Sequence, residues 1–464
     1  MVKDYNLTSD LYIIPYEEKG KNAFLAYFPL QSLIFEINRD AVTILNKAKV
    51  RTYRTENASE IKFLESLVEL KVLNGRKEPQ PYSLFHDSPK PTYTMLLLTN
   101  KCQLKCIYCY GKSSGKGIMM PKEIARKAVD TIVRNTVEKK TGLLHIGYHG
   151  GGEPTQNWEV LTDSYLYASE RCNTNNLRLY SSICTNGIFS KEKADWIIRN
   201  INDVAISMDG LPEIHNHNRP FRNGKGSFSA VSRTLDNFNK NNKKFNTRLT
   251  ATEYSYKKLP ETVKFLKERF NINMLSIEPL YVCGRCITSG CKPPPLDGFI
   301  KIMTEVIELG KELCVNIQYS GNRLENLISR FCGAQGSNFF ITPKGYVTAC
   351  LEVSDYDDIR SDFFIYGKYD LSKQEFIFNN ETYKRLASSQ VQSFNTCREC
   401  FAKWHCAGDC IAKSPNLLKV TDERNQYRCR LNKTLLRRTL IDAMNQQINR
   451  AAPSAEVRPG ILVS

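Results

Sequence analysis

No stretch of the 464-residue chain reaches about 18 uninterrupted apolar residues, so none is expected to span a membrane. The opening residues, MVKDYNLTSD, lack the apolar run of a secretory signal, and a cytoplasmic location is the expectation. Acidic side chains fall short of basic ones. Forty-eight Asp and Glu against 65 Lys and Arg give a formal net charge of +17. That excess describes either a generally basic surface or one that meets an acidic partner. No zinc-finger spacing, RNA-binding signature or aromatic–basic platform accompanies it, which argues against nucleic acid. An acidic peptide or protein fits the charge as well. Cysteine, by contrast, is abundant: there are sixteen, eleven of them from Cys283 onward. In a reducing compartment, clustered thiols bind metal or act in redox chemistry rather than pairing as disulfides. A hydrophobic content of 41% permits a sizeable core, and the length permits more than one domain.

Residues 1–90 read as a separate module. LYIIPYE, AFLAYFPL and SLIFEIN read as strands, while RDAVTILNKAK and SEIKFLESLVELKVL carry apolar residues at helical spacing. Three strands with two or three helices suggest a winged-helix shape. The stretch NGRKEPQPYSLFHDSPKPTY, with four prolines, marks a linker. Over residues 91–318, TYTMLLLT, LLHIGYHG, LRLYSSICT, DVAISM, FNTRLTAT and NMLSIEPL read as strands, each followed by a helical pattern. Six β/α units imply an α/β fold with a parallel sheet, and they are too few for a closed eightfold barrel. A partial (β/α)6 barrel is expected, with active-site residues at the C-terminal ends of its strands. From 319 to 440, cysteines, glycines and short segments dominate, and metal is expected to substitute for a large core. Residues 441–464 read as a tail, with AAPSAEVRPGILVS disordered.

The first barrel strand runs into NKCQLKCIYCYGK, where Cys102, Cys106 and Cys109 are spaced CX3CX2C. Structural zinc wants four protein ligands, and no fourth Cys or His lies nearby in sequence. Three thiolates suffice for a cubane [4Fe–4S] cluster that keeps one iron open. The spacing, Tyr108 before the last cysteine, and the position after the first strand resemble the radical S-adenosylmethionine (SAM) superfamily. The resemblance implies SAM bound at the open iron and reduced by one electron, with a flavodoxin or ferredoxin as reductant. A 5′-deoxyadenosyl radical would then take hydrogen from an unactivated carbon.

The resemblance also assigns residues. HGGGEP (149–154) closes the second strand, and Gly151, Gly152 and Glu153 match the family's GGE segment near the amino group of SAM. CTNG (184–187) and SMDG (207–210) end the third and fourth strands, where Asn186 and Ser207 are expected at the methionyl or ribose part. In HNHNRPFRNGKGSF (215–228), Arg219 is either a contact to the SAM carboxylate or a surface arginine.

The later cysteines form a second pattern. Cys332, Gly345 and Cys350 precede Cys397-X2-Cys400-X5-Cys406-X3-Cys410 and then Cys429. This order is similar to the SPASM extension of radical SAM enzymes that modify peptides and proteins. It implies two auxiliary iron–sulfur clusters of the [4Fe–4S] type. Cys397, Cys400, Cys406 and Cys429 would complete one, and Cys332, Cys350 and Cys410 would supply three ligands of the other. Relatives place a further Cys shortly before Cys332, where LENLISRF has none. The fourth position is open, or it is filled by Cys314, Cys291 or Cys286. Cys283, Cys286 and Cys291 read as a substrate-facing loop with free thiols rather than a third cluster. Cys172 and Cys184 read as core residues.

Residues 10–75 resemble the peptide-recognition domains related to the pyrroloquinoline quinone chaperone. A strand such as SLIFEI can take up a peptide by backbone hydrogen bonds; the alternative is a docking domain packed on the barrel. The expectation is a radical SAM/SPASM maturase that binds a precursor peptide by its leader and installs a thioether or carbon–carbon cross-link. The alternative is an anaerobic sulfatase-maturing enzyme that forms formylglycine from Cys or Ser. Such enzymes carry Asp directly after the cysteine matching Cys350, where this chain has Leu351 and then Glu352. A peptide-binding scaffold without turnover is a third class, disfavoured by intact Cys102, Cys106, Cys109 and Glu153.

Overall fold

The computed structural model describes residues 3–18, 21–76, 80–81, 88–111, 113–414, 426–451 and 460–461. Its centre is a run of parallel strands in chain order: β1 (Tyr93–Leu97), β2 (Leu143–His149), β3 (Arg178–Thr185), β4 (Asp203–Ser207), β5 (Asn246–Ala251), β6 (Met274–Pro279) and β7 (Asn316–Gln318). The first six follow the six expected strands. The seventh is only three residues long, too short for alternation to reveal.

Period-two alternation decides what each strand does. Leu144, Ile146, Tyr148, Ile183, Val204, Ile206, Leu249, Leu275 and Ile277 are buried against the helices. Helix Lys122–Glu138 answers with Ala125, Ala128, Val129, Ile132 and Val133 on one stripe. The intervening strand residues, among them His145, His149, Ser182, Cys184, Ser207 and Glu278, face the barrel interior and are only half-buried.

The sheet does not end at β1. Phe340–Ile341 pairs with β1 in parallel. Tyr346–Thr348, Ile365–Asp370 and Glu375–Phe378 then continue as an antiparallel meander. Barrel and cysteine-rich region therefore share one 11-stranded sheet. This supplies the later region with more apolar core than its composition suggested, including Phe339, Ile341, Val347, Phe364 and Leu386.

The N-terminal module has an antiparallel sheet of Tyr12–Glu18, Lys21–Phe28 and Leu33–Ile37, with helices Arg39–Val50 and Ala58–Glu69. One face of the sheet joins Phe28, Leu33 and Ile37 to Ile44, Leu45, Leu64 and Leu67. The other face packs Tyr12, Ile14, Leu25, Tyr27 and Ile34 on Ala402, Leu436, Leu440 and Met444. A hydrogen bond joins the Tyr27 hydroxyl and His405 Nε2, and Trp404 Nε1 donates to Asp10 at 2.8 Å. The module is thus fastened to the cysteine-rich region and the last helix.

That helix spans Gln426–Ala451, so the tail boundary expected at 440 falls inside it. Gly460–Ile461 pairs antiparallel with Leu33–Ile34 along the outer strand of the N-terminal sheet, where a disordered tail was expected. The remainder of the expected linker and tail, 77–79, 82–87, 452–459 and 462–464, lies outside the described residues. Among the described residues no helix is long and apolar enough to cross a membrane.

Candidate functional site

The three-thiol loop leaves the C-terminal end of β1, and its backbone is tied on all sides. Cys102 N–H donates to Ser114 O at 2.9 Å, Lys105 N–H to Pro220 O at 2.8 Å, and Ile107 N–H to Asn218 O at 2.9 Å. Arg285 caps the other side, its Nη1 donating to Cys106 O at 2.8 Å and its backbone N–H to Cys109 O at 2.9 Å. Leu104 N–H and Asn186 Nδ2 approach the Cys102 sulfur at 3.4 and 3.7 Å. Such fixed donors suit thiolates held around a cluster.

Burial pushes the Cys102 thiol up to about 12, with Glu153 adding to it, and the Cys106 thiol up to about 11. Without a cation the thiols stay protonated, so cluster uptake must release their protons. Among the described residues no three His, Cys, Asp or Glu side chains close around a single metal ion. Three soft sulfur donors spread along one loop fit a cubane rather than zinc.

The glycine run locks against this loop. Gly152 N–H donates to Thr99 O at 3.0 Å, and Glu153 N–H donates to Lys101 O at 2.9 Å. A Cβ on Gly152 would stand 2.3 Å from Lys101 O, so only glycine fits there. Gly151 has nothing nearer than 4.0 Å to an added Cβ, while its carbonyl packs against Gly111, where a Cβ would stand 2.4 Å from it.

Glu153 is held by its neighbours. Its Oε1 accepts from Thr155 Oγ1 at 2.8 Å and Thr185 Oγ1 at 2.7 Å, and its Oε2 accepts from Asn186 N–H at 2.8 Å. Buried at 2% exposure, it braces β2 to β3. Asn186 is likewise drawn to the Cys102 loop. Ser207 sits half-buried at the end of β4, beside Arg248 in the strand register. Arg219 is no surface arginine: it is buried, and its Nη1 donates to the Tyr108 hydroxyl at 2.7 Å. Tyr108 in turn donates to Asp209 at 2.6 Å. Arg219 therefore supports the thiol loop from beneath, while its Nε has no hydrogen-bond partner.

Cys172 is in the core as expected, but Cys184 is not. It lies on the interior face of β3, near the His149 and Arg248 side chains. His149 Nδ1 accepts from Gly150 N–H at 2.8 Å, which leaves Nε2 as the ring's donor. Burial raises the Cys184 thiol, but His149 and Arg248 outweigh it and bring it down to about 7. Sequence reading missed this group, although alternation in SSICT sets Ser182 and Cys184 opposite buried Ile183.

In the cysteine-rich region, Cys397, Cys400, Cys406 and Cys429 all line one cavity of about 570 Å³. Asn432 Nδ2 donates to the Cys406 sulfur at 3.2 Å. Cys332, Cys350 and Cys410 form a second gathering: Cys350 and Cys410 pack against the main core, and Phe331, next to Cys332, clusters with Cys410. Between the two runs Asp409, whose carboxylate takes Arg428 Nε and Nη2 at 2.6 and 2.9 Å. Arg428 Nη1 reaches Glu278 of β6 at 3.3 Å. The loop of Cys283, Cys286 and Cys291 folds back on the first thiol loop: Cys286 and Cys291 pack with Cys106, Tyr108 and Leu280.

The model of the radical SAM superfamily matches residues 96–266, and that of an iron–sulfur cluster-binding SPASM domain matches residues 332–401. A cysteine-type anaerobic sulfatase-maturating enzyme of Clostridium perfringens is 25% identical over 331 residues, 67% of this chain and 85% of that protein. The structure of native anSMEcpe with bound AdoMet superposes with a TM-score of 0.59 at 22% identity, covering 76% of this chain and 99% of that one. Streptococcus suis SuiB bound to precursor peptide SuiA superposes with a TM-score of 0.53 at 15% identity, covering 91% and 99%.

Proposed function

From a chain that carries a radical SAM domain followed by a SPASM domain, we infer an oxidoreductase that removes hydrogen from a residue of a peptide or protein substrate. The observation that carries this reading is the joint construction of the three-thiol loop and the glycine run locked against it at the C-terminal ends of β1 and β2. Bound there, an iron–sulfur cluster and SAM supply a 5′-deoxyadenosyl radical. The chain's residues do the rest. Asn186 and Leu104 donate toward sulfur, Glu153 and Arg219 hold the loops, and His149, Cys184, Ser207 and Arg248 offer polar contacts inside the barrel.

Two finer readings are each supported by one observation. Similarity to a cysteine-type sulfatase-maturating enzyme favours oxidation of a Cys or Ser to formylglycine, and on sequence identity this is the better supported. The N-terminal module favours a ribosomal peptide, recognised by its leader and cross-linked. The anSMEcpe fold accounts for 76% of this chain, whereas the SuiB fold accounts for 91%. Leu351, in place of Asp, points the same way.

The test is anaerobic reconstitution with SAM, a reductant and two peptides, one from a sulfatase and one from a short neighbouring reading frame. 5′-Deoxyadenosine must form, and Cys106→Ala must abolish it while the SPASM iron stays. Formylglycine formation from cysteine expels the sulfur, whereas a thioether keeps it and loses a pair of hydrogens. Absence of 5′-deoxyadenosine from the loaded protein would end the radical reading.

A further inference from the structure

The second gathering of thiols has three members, and the structure shows what stands beside them. Cys314 is exposed beyond the end of helix Leu296–Glu312. The Cys286 sulfur is taken up by its own loop, accepting from Cys283 N–H at 2.9 Å, and it packs with Cys291 against Cys106. Neither thiol turns toward Cys332, Cys350 and Cys410.

Glu352 does. It lies two residues after Cys350 in a tight turn, where Val353 N–H donates to Cys350 O at 3.1 Å. Its side chain is only 16% exposed and spans to the turn that carries Cys410. There Lys413 Nζ stands 3.9 Å from Oε1, and Lys413 N–H donates to Cys410 O at 3.1 Å. Arg360 Nη1 meets Oε2 at 3.3 Å and also donates to Ala412 O at 3.0 Å. The carboxylate is therefore held between the two turns that present Cys350 and Cys410.

We propose that Glu352 is the fourth ligand of the auxiliary cluster held by Cys332, Cys350 and Cys410, bound through a carboxylate oxygen. The proposal rests on the iron–sulfur reading of the SPASM domain. Arg360 and Lys413 aim the carboxylate from behind, as outer hydrogen-bonding groups orient ligands at metal sites. An oxygen ligand closes the iron to substrate thiols while leaving it more easily exchanged than a fourth cysteine would.

The test uses the full chain reconstituted anaerobically with Cys106→Ala, so that only auxiliary clusters give signals. Glu352, Glu352→Gln and Glu352→Cys forms are compared by iron content, reduction potential and electron paramagnetic resonance with and without cyanide. With Glu352 present, cyanide should leave the reduced spectrum unchanged. Glu352→Gln should make the spectrum cyanide-sensitive and raise the potential, because a nearby negative charge that opposed the added electron is gone. Glu352→Cys should restore insensitivity. Loss of one cluster's iron in Glu352→Gln with recovery in Glu352→Cys supports the assignment equally. A cyanide response as strong with Glu352 as with Gln overturns it, and so does an insensitive Gln form that retains its iron. Absence of this cluster's iron from every form would overturn the SPASM cluster reading itself, and the ligand assignment with it.

Discussion

Replacing Arg428 with methionine should be the costliest single change outside the cluster cysteines. The guanidinium is 3% exposed and forms a two-pronged pair with Asp409, itself 9% exposed. Methionine fills much of the volume but leaves the Asp409 carboxylate buried and uncompensated. Breaking a buried pair from one side costs about 3–5 kcal/mol. Glu278 also loses Arg428, but at 23% exposure it has water within reach and adds little. The damage should be local, because Arg428 joins the last helix to the turn between Cys406 and Cys410. Amide hydrogen exchange of the anaerobic holoprotein reads it directly. Protection in 403–414 and in the start of the last helix should fall by roughly a hundred- to several thousandfold, at about tenfold per 1.4 kcal/mol. Strands β1 to β4 should keep theirs. Adding Asp409→Asn removes the stranded charge and should recover most of the loss. A loss under about tenfold, or a double variant no better than the single, would refute the reasoning.

Two further outcomes follow from contacts outside the cluster. Cys184 in the cluster-loaded, SAM-free protein should be alkylated by iodoacetamide with a midpoint near pH 7, against 9.0 for an unperturbed thiol. The thiolate is the reactive form, so the rate rises with pH and levels off above the midpoint. Arg248→Gln removes one stabilising cation, the midpoint moves up, and the rate at pH 7 falls about tenfold per pH unit of that rise. A midpoint indifferent to Arg248 contradicts the pairing. Deleting residues 1–76 should do more than weaken substrate binding, because it uncovers Leu436, Leu440 and Met444. Each is worth about 1.5–3 kcal/mol buried. The truncated chain should unfold at lower temperature and self-associate in gel filtration, and a monodisperse chain of unchanged melting temperature would show that the module contributes nothing to the core.

What was legible in the sequence divides along a physical line. The barrel strands were, because alternation over five to eight residues is a local signal, and LLHIGYHG or LRLYSSICT carries it unaided. So was the three-thiol loop, because CX3CX2C keeps its cysteines adjacent in the linear order. The shared sheet was not, because Phe340–Ile341 is a two-residue strand whose partner lies some 245 positions earlier. The docking of the N-terminal module left a trace that was passed over. Leu25, Ala26, Tyr27 and Phe28 are apolar in succession and all buried, as a strand covered on both faces must be.

The substrate side of the site was hardest to see for the same reason. His149, Cys184, Ser207, Arg248 and Glu278 come from five different strands, one residue each, and although the first three open the HGGGEP, CTNG and SMDG segments, nothing in the linear order sets the five side by side. A barrel builds its interior by taking single residues from successive strand ends, so the chemistry there belongs to the closure of the sheet and not to any segment. The same closure turns Glu153 inward. The carboxylate is engaged by the Thr155 and Thr185 hydroxyls and two backbone N–H groups, and these bonds fix the Asn186 loop, whose side-chain amide reaches the Cys102 sulfur.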